Sequence, residues 1–475
     1  MHNIRATLTS REGWKLAKEP SSLAPPGVTS NKDLDPIPPE LRVWTALDFA
    51  NYWVSDLVNI TSWSIGTAPL LVGLSTVDAI VIVMLSGFCN AVPTLLNGFG
   101  YYFGYFAVVS RAVLSAVWFG VNCYYGLFGM TEAIAAIWPS YRDIPNHLPE
   151  SAGITTRQMI SFFLFTTMHI PFMLIPVHRL KRLFFCKTIV IIPVSIAMTI
   201  WICVKAGDVK GIFNQPATVT GSTHTWHWLA TFCSTTNSWL TATVNMADYS
   251  RFSKGTRGQW AQLPTIPIVN TVYAILGLAV VGAGRVLYDE DLSNPVTMLP
   301  YWNSTAGGRF LSFCCAMLWM LAQISCDLSA NAVPFGHDIM AILPGWINVR
   351  RGAILCLLLG AWAMVPWLIV NSASKFLTFM SAYGVFLSSI CSIMIADYFV
   401  VRRRRLNVVD LYHPHGCYRY KAGINWRAFV TEFIFVGITL PGVVNSTTPT
   451  IPIPGGFLRL YQLNWFVNTI GAFVV

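Results

Sequence analysis

Eleven stretches of mostly apolar residues follow one another along the chain, at 47–74, 76–97, 102–128, 155–177, 184–206, 225–247, 264–287, 308–333, 352–371, 373–399 and 427–444. Each is long enough to cross a hydrocarbon layer as a helix, which takes about 20 residues at about 1.5 Å each. A twelfth run opens near Asn464 and reaches Val475, about half a crossing at that rise. The pattern predicts an all-α polytopic membrane protein. The first 45 positions are polar and proline-rich, with Pro20, Pro25, Pro26, Pro36, Pro38 and Pro39, and read as a disordered cytosolic tail. No cleavable signal peptide is visible, so the first span acts as its own insertion signal. The expected organisation is a tail over 1–45, a membrane core of eleven helices over 46–444, and an outer loop with an incomplete, truncated twelfth helix over 445–475.

Two of the runs are interrupted. Span 1 carries Asn59-Ile-Thr-Ser-Trp63 and span 6 carries Ser234-Thr-Thr-Asn-Ser-Trp239, at corresponding places in two five-span halves. Broken helices at matching positions point to a transporter binding site, because freed backbone groups are tolerable in a membrane only where they line a cavity. The same polar residues can instead glue neighbouring helices together. The pattern leaves both readings open.

Composition narrows the class. Of 475 residues 54% are hydrophobic and 11% charged, against about 25% charged in soluble proteins, and the mean hydropathy is +0.54. A soluble enzyme, a disulfide scaffold and a nucleic-acid-binding protein are excluded on that balance. The net charge of +10 acquires a topological meaning instead. With the tail inside, 22 of the 31 Lys and Arg fall in the tail and the even-numbered loops, among them Lys187 between spans 4 and 5 and Arg402 to Arg405 after span 10. That bias places the N-terminus in the cytoplasm. Sequons at Asn303 and Asn445 fall in predicted outer loops. The eleven cysteines show no zinc-ligand spacing and read as small core residues.

Ionisable residues inside spans are costly, so each is a functional candidate. Asp56 precedes the interruption in span 1, Arg111 lies in span 3, Asp327 in span 8 and Glu432 in span 11. Asp248 and Arg251, at i and i+3 after span 6, form a candidate ion pair at the inner mouth. Asp397, beside Arg402 to Arg405, reads as topogenic. Trp118 and Asn122 share a face of span 3, where an indole can stack on a flat ring and an amide can offer it a donor and an acceptor. Span 8 aligns Ala322, Ser325 and Cys326 one turn apart, then Asp327 and Asn331. His169, His178, His224, His227 and His337 are scattered without a motif. No enzyme signature, metal motif or cofactor loop is present, so a non-enzyme without cofactor is expected.

Several of these residues carry a family likeness. Asn245-Met-Ala-Asp-Tyr-Ser-Arg-Phe252 resembles the span-6 signature of the nucleobase–cation symporter family 1. Asn31-Lys-Asp-Leu-Asp-Pro-Ile-Pro-Pro39 with Trp44, Tyr52-Trp-Val-Ser-Asp56 with Asn59, and Ile347-Asn-Val-Arg-Arg-Gly352 resemble signatures of its fungal uracil, uridine, allantoin and thiamine permease branch. The resemblance implies a LeuT-type fold with spans 1–5 and 6–10 as inverted repeats, followed by spans 11 and 12. It implies proton-driven import of a nucleobase or related nitrogen heterocycle by alternating access, in a plasma membrane. The partners would be a small heterocycle, a proton and the lipid bilayer, with no nucleic acid.

By the same resemblance, Trp118 and Trp239 correspond to two indoles that sandwich the ring, Asn331 to the amide at its edge, and Asn59 to a polar group facing substrate. Asn122 stands where the family usually has Gln. Ser55 and Val58, with Ala322, Ser325 and Cys326, match the cation-site positions of sodium-coupled members. Cys326 replaces a hydroxyl there, and sodium prefers oxygen ligands, which favours protons. Asp327 and Asp56 are then the candidate proton carriers, and Asp248 and Arg251 the candidate inner gate. The connection Asn97-Gly-Phe-Gly-Tyr101 is shorter than is usual in the family. Alternative expectations are a non-transporting receptor, an inactive truncated family member, or a LeuT-type amino-acid carrier.

Overall fold

The computed structural model describes residues 14–16, 35, 37–91, 104–370, 372–405, 407–411, 413, 415–421 and 423–475. The Asn97–Tyr101 connection and most of the tail lie outside the described residues. Among the described residues, six helices are long and apolar enough to cross a membrane: Tyr105–Ile137, Arg179–Ala206, Arg257–Tyr288, Ala306–Ile342, Ala373–Val401 and Trp426–Thr447. Several other predicted spans are divided into shorter pieces, and the divisions build the site.

Span 1 consists of α1 (Ala46–Leu57) and α2 (Ile60–Leu71). The Asp48 carboxylate starts α1 by accepting from the amide and hydroxyl of Thr45, each at 2.8 Å. The break falls at Val58–Asn59. Asn59 is extended, and its side-chain oxygen accepts from the Ser62 amide at 2.9 Å, capping α2 as an N-cap asparagine does. Thr61 to Trp63 are therefore inside a helix, and the predicted interruption shrinks to its first residue.

Then come α3 (Thr76–Ala91), α4 (Gly104–Ile137), α5 (Thr156–Met173) and α6 (Val177–Ala206). Lys187 belongs to α6 and is 1% exposed. It is a buried cation, not the loop charge that the topology tally made it.

Span 6 is α7 (Gly221–Ser238) and α8 (Leu240–Asn245), joined at Trp239. It bends more than it breaks, since the Thr243 amide still bonds the Trp239 carbonyl at 2.9 Å. The hydroxyls of Thr236 and Ser238 donate to carbonyls of their own helix, Phe232 at 2.8 Å and Thr235 at 2.6 Å. Such back-bonding lets a Ser/Thr cluster remain helical in an apolar setting. The predicted six-residue interruption thus reduces to its last residue.

The second half continues with α9 (Gln262–Tyr288), α10 (Ala306–Cys326) and α11 (Val333–Ile342), the last two joined by a π-helical turn, Asp327–Ala332. A wider turn of this kind is common at functional sites, and this one carries Asp327 and Asn331. Next are α12 (Val349–Leu357), α13 (Ala373–Ile395) and α14 (Trp426–Thr447). Helices α15 (Gly455–Gln462) and α16 (Asn464–Val474) follow, so helix in the twelfth region starts before the predicted Asn464. Arg459 hid it from the apolar pattern; its guanidinium lies 4.0 Å over the Trp226 ring and donates to Gln462.

Helix α4 packs on α10 and α5, and α9 packs on α3, α2 and α6. Gly120 of α4 and Gly360 after α12 make one close backbone approach. A Cβ added at Gly120 would lie 2.2 Å from the Gly360 carbonyl oxygen, and one at Gly360 would lie 2.1 Å from that of Ala116. Two glycines bring these backbones together and fix the helix that carries Trp118 and Asn122.

Candidate functional site

A cavity of about 30 Å³ lies where the two interrupted spans meet α4 and the π-helical turn. That is space for about two waters, so the walls have closed on the centre. Asn59, Thr61 and Ser62 come from span 1, Trp118 and Asn122 from α4, Trp239 and Thr241 from span 6, and Cys326 and Asn331 from span 8. Trp118 is set by edge-on contacts with Phe376, Phe379 and Tyr383, at 5.8, 5.9 and 6.0 Å between ring centroids. Trp239 Nε1, Ser62 Oγ and Thr241 Oγ1 are buried without a hydrogen-bond partner. Trp118 Nε1 and Asp56 Oδ2, of residues lining the same cavity, are likewise unpartnered; buried polar groups are normally satisfied, so five open valences around one cavity suit a polar guest.

The amides expected at the site are all present, but two are committed elsewhere. Asn59 spends its oxygen as the cap of α2, and its nitrogen donates to the Asp56 carbonyl and to Cys326 Sγ at 3.3 Å. Asn122 accepts from the Thr61 hydroxyl at 2.5 Å. Thr61 in turn accepts from Gln323 Nε2 at 2.8 Å, and Gln323 Oε1 accepts from the Ile60 amide at 3.2 Å. This chain ties spans 8, 1 and 3 together. Asn331 donates to Asp327 Oδ1 at 3.0 Å.

The five expected cation-site positions are buried. Ser55 Oγ and Ser325 Oγ are 3.3 Å apart, bringing α1 against α10. Lys187 Nζ reaches this point from α6 and donates to the backbone carbonyl of Ser55. Asp56 accepts from Ser329 Oγ at 2.8 Å. Asp327 Oδ2 lies 3.0 Å from His169 Nε2, with Cys123 Sγ 3.7 Å away.

Asp248 makes its ion pair with Arg111, at 3.4 Å, and stands 3.9 Å from His337 Nδ1. Arg111 also pairs with Asp338 at 2.6 Å. Arg251 donates to the Asp35 carbonyl. The two expected inner-gate residues thus engage different elements: Asp248 faces span 3, and Arg251 reaches the segment preceding span 1. Nearby, Trp44 and Ser253 form a short parallel bridge, and Tyr52 stacks near Tyr249 at 4.7 Å. A hollow of about 560 Å³ opens on this same tail-bearing face, lined by Ile37, Phe172, Arg251, His337 and Arg350 among others. Glu432 is buried in α14 and Asp397 is 3.8 Å from Arg402; neither lines the central cavity.

Sequence reasoning missed Lys187, His169, Gln323 and Thr241. Lys187 did carry a signal, since it falls inside the run 184–206, where a charge is costly.

An interrupted first span, a bent sixth and a polar cavity at their junction define a helical secondary transporter of the LeuT type. A family model described as permease for cytosine/purines, uracil, thiamine and allantoin matches residues 36–468. The chain belongs to that permease family, the nucleobase–cation symporter family 1, in its fungal branch. An uncharacterised permease of Schizosaccharomyces pombe is 30% identical over 94% of this chain and 82% of its own. The uracil permease of Saccharomyces cerevisiae is 29% identical (92% and 74% covered), and its allantoin permease 30% (92% and 73%). Among solved structures, closed Mhp1, a nucleobase-cation-symport-1 transporter with bromovinylhydantoin bound, superposes with a TM-score of 0.69 at 18% identity, covering 95% of this chain and 94% of Mhp1. The fold is shared with it.

Proposed function

We propose that this permease imports a planar nitrogen heterocycle of the uracil, uridine, allantoin or thiamine class by proton symport across a plasma membrane. The tail-bearing face is then cytoplasmic. Trp118 and Trp239 stack on the ring, Asn331 holds its edge, and Ser62 and Thr241 supply further polar contacts. Asn122 joins after releasing Thr61, and Asn59 contributes mainly by shaping the break. The Arg111–Asp248–Asp338 cluster and Arg251 hold the inner side shut until the repeats rock.

The observation that carries the coupling is Lys187. Its ammonium reaches the Ser55 carbonyl beside Ser325 and Cys326, at the position expected of a cation. While protonated, the amine there repels sodium, at about 4 kcal/mol for two charges 4 Å apart in an effective dielectric of about 20. Loading and emptying that amine, with Asp56 and Asp327 as neighbouring carboxyls, lets a proton do the work of a metal ion. The proposal gives Lys187 the coupling role ahead of either carboxyl.

Uptake of labelled uracil, uridine, allantoin and thiamine into transporter-deficient cells tests the reading. We expect saturable uptake of one class, stimulated by external acid, abolished by a protonophore and indifferent to sodium. Absence of saturable uptake for every compound refutes the substrate class. Sodium-dependent, protonophore-resistant uptake refutes the coupling.

A further inference from the structure

His169 is fully buried on α5 and lies against the same π-helical turn that carries Asn331. Its two ring nitrogens face two different partners. Nδ1 is 3.0 Å from the Phe165 carbonyl, and Nε2 is 3.0 Å from Asp327 Oδ2. A carbonyl can only accept, so Nδ1 carries a hydrogen. The Nε2–Oδ2 contact then needs one further proton between imidazole and carboxyl, on either atom. In both cases that proton is held at Oδ2. The other oxygen, Oδ1, is left as a pure acceptor.

That assignment reaches the cavity. Asn331 donates its amide nitrogen to Oδ1 at 3.0 Å, so its carbonyl is the end that Asp327 does not hold, on a residue that lines the cavity. We infer that the His169–Asp327 dyad fixes the orientation of the Asn331 amide, which makes His169 a positioning residue that selects substrates presenting a ring N–H. The inference rests on the proposed transport reading and adds the specificity of its site. With no imidazole to hold it at Oδ2, the carboxyl proton can sit on Oδ1 instead, donate to the Asn331 carbonyl and turn the amide over.

The surroundings leave the dyad as the local determinant. Phe165 and Phe119 pack against the imidazole at 4.7 and 5.2 Å between centroids. Around the carboxyl, Cys123 faces it from α4, Cys356 from α12, Asp56 from α1 and Cys326 from the preceding turn, with Asn122 also in reach. None of these can replace a ring that donates to the Phe165 carbonyl at one end and shares a proton with Asp327 at the other.

The test is a double-mutant cycle in whole cells. It uses His169→Leu, His169→Gln, Asn331→Ala and the double variant, with uracil, 1-methyluracil and 3-methyluracil as competitors of the transported label. Surface expression is measured in parallel. We expect the wild type to reject one N-methyl analogue by about 10- to 100-fold, the range for one unpaired buried hydrogen bond. His169→Leu should erase most of that discrimination by raising the KM of the preferred substrate, with little change in maximal rate. His169→Gln, which keeps a donor toward Asp327, should restore it. In an Asn331→Ala background His169→Leu should add nothing.

Should His169→Leu reach the surface poorly, the His169→Gln variant and binding to purified protein by tryptophan quenching carry the same comparison. Unchanged N-methyl discrimination in His169→Leu, or additive effects with Asn331→Ala, overturns the inference and leaves the transport reading standing. Because Cys123, His169 and Asp327 offer ligand atoms within 4.8 Å of one another, loss of uptake with EDTA and rescue by zinc assigns the cluster to a metal and also overturns it. No uptake of any compound by the wild type overturns the transport reading and this inference together.

Discussion

Lys187→Met is the sharpest perturbation of the proposed coupling. Methionine fills a similar unbranched volume in α6 but has no proton to give the Ser55 carbonyl and no charge. One proton entering per cycle across about 100 mV releases about 2.3 kcal/mol, and a gradient of one pH unit adds about 1.4 kcal/mol. The total, about 3.7 kcal/mol, sustains an inside-to-outside substrate ratio of about 500. Without the titrating amine that ratio should fall to about 1. The stacking and amide contacts are made by other residues, so substrate exchange should persist. The assay preloads cells or vesicles with substrate and follows counterflow, then measures net accumulation at a fixed pH gradient. A Lys187→Met protein that still concentrates substrate more than about tenfold refutes the assignment, since about 1.4 kcal/mol of coupling would remain. Loss of counterflow at normal surface expression refutes it too, because it would make Lys187 part of the substrate site or of its framework.

Three further outcomes follow from the same geometry. Trp239→Ala should weaken competition by substrate about 10- to 100-fold, matching the loss of about 1–3 kcal/mol of stacking on one aromatic face; Trp239→Phe should retain most of it, and unchanged binding in the alanine variant removes Trp239 from the site. Gly120→Ala puts a methyl group 2.2 Å from the Gly360 carbonyl oxygen, so spans 3 and 9 must separate; a cost of about 1–3 kcal/mol should lower the Tm of the purified protein and its surface level, and a normal Tm contradicts the close backbone contact. Cys326→Thr supplies the hydroxyl that suits sodium, yet uptake should stay sodium-independent while the Lys187 ammonium holds the position; sodium stimulation should emerge only when Lys187→Met is combined with it, and stimulation in the single variant counts against the fixed-charge reading.

The helices were legible because lipid-length apolar runs are a one-dimensional signal, and most span limits agree with the helices observed. The breaks were legible in place but not in extent. Polar clusters look like interruptions in a hydropathy pattern. Thr236 and Ser238 instead satisfy their hydroxyls on carbonyls one turn back, and the helix runs on to Trp239. Asn59 ends one helix and starts the next because its amide oxygen can cap a free N–H, which a count of polar residues does not distinguish from Thr61 beside it. Helix α15 was hidden for the opposite reason. Arg459 breaks the apolar run in sequence, while in space its guanidinium is covered by Trp226.

The two ionisable site residues missed, Lys187 and His169, share one cause: the meaning of such a side chain depends on what it faces. Lys187 was tallied with Arg179, Lys181 and Arg182, four basic residues within nine positions that look alike to the positive-inside rule. Residue Lys187 is one percent exposed, whereas Arg179 is exposed. Helix α6 turns the former toward Ser55 and leaves the latter outside. His169 was one of several histidines without a motif, because its partner, Asp327, lies 158 positions away. Only the packing of α5 on the π-helical turn sets its two nitrogens against the Phe165 carbonyl and Asp327. Both residues sit at contacts between spans rather than within one. A buried charge persists only where a partner from another helix offsets its desolvation. The few intramembrane charges of this chain should therefore be read in pairs. Here those are His169 with Asp327, and Arg111 with Asp248 and Asp338, while Lys187 is met by the Ser55 carbonyl.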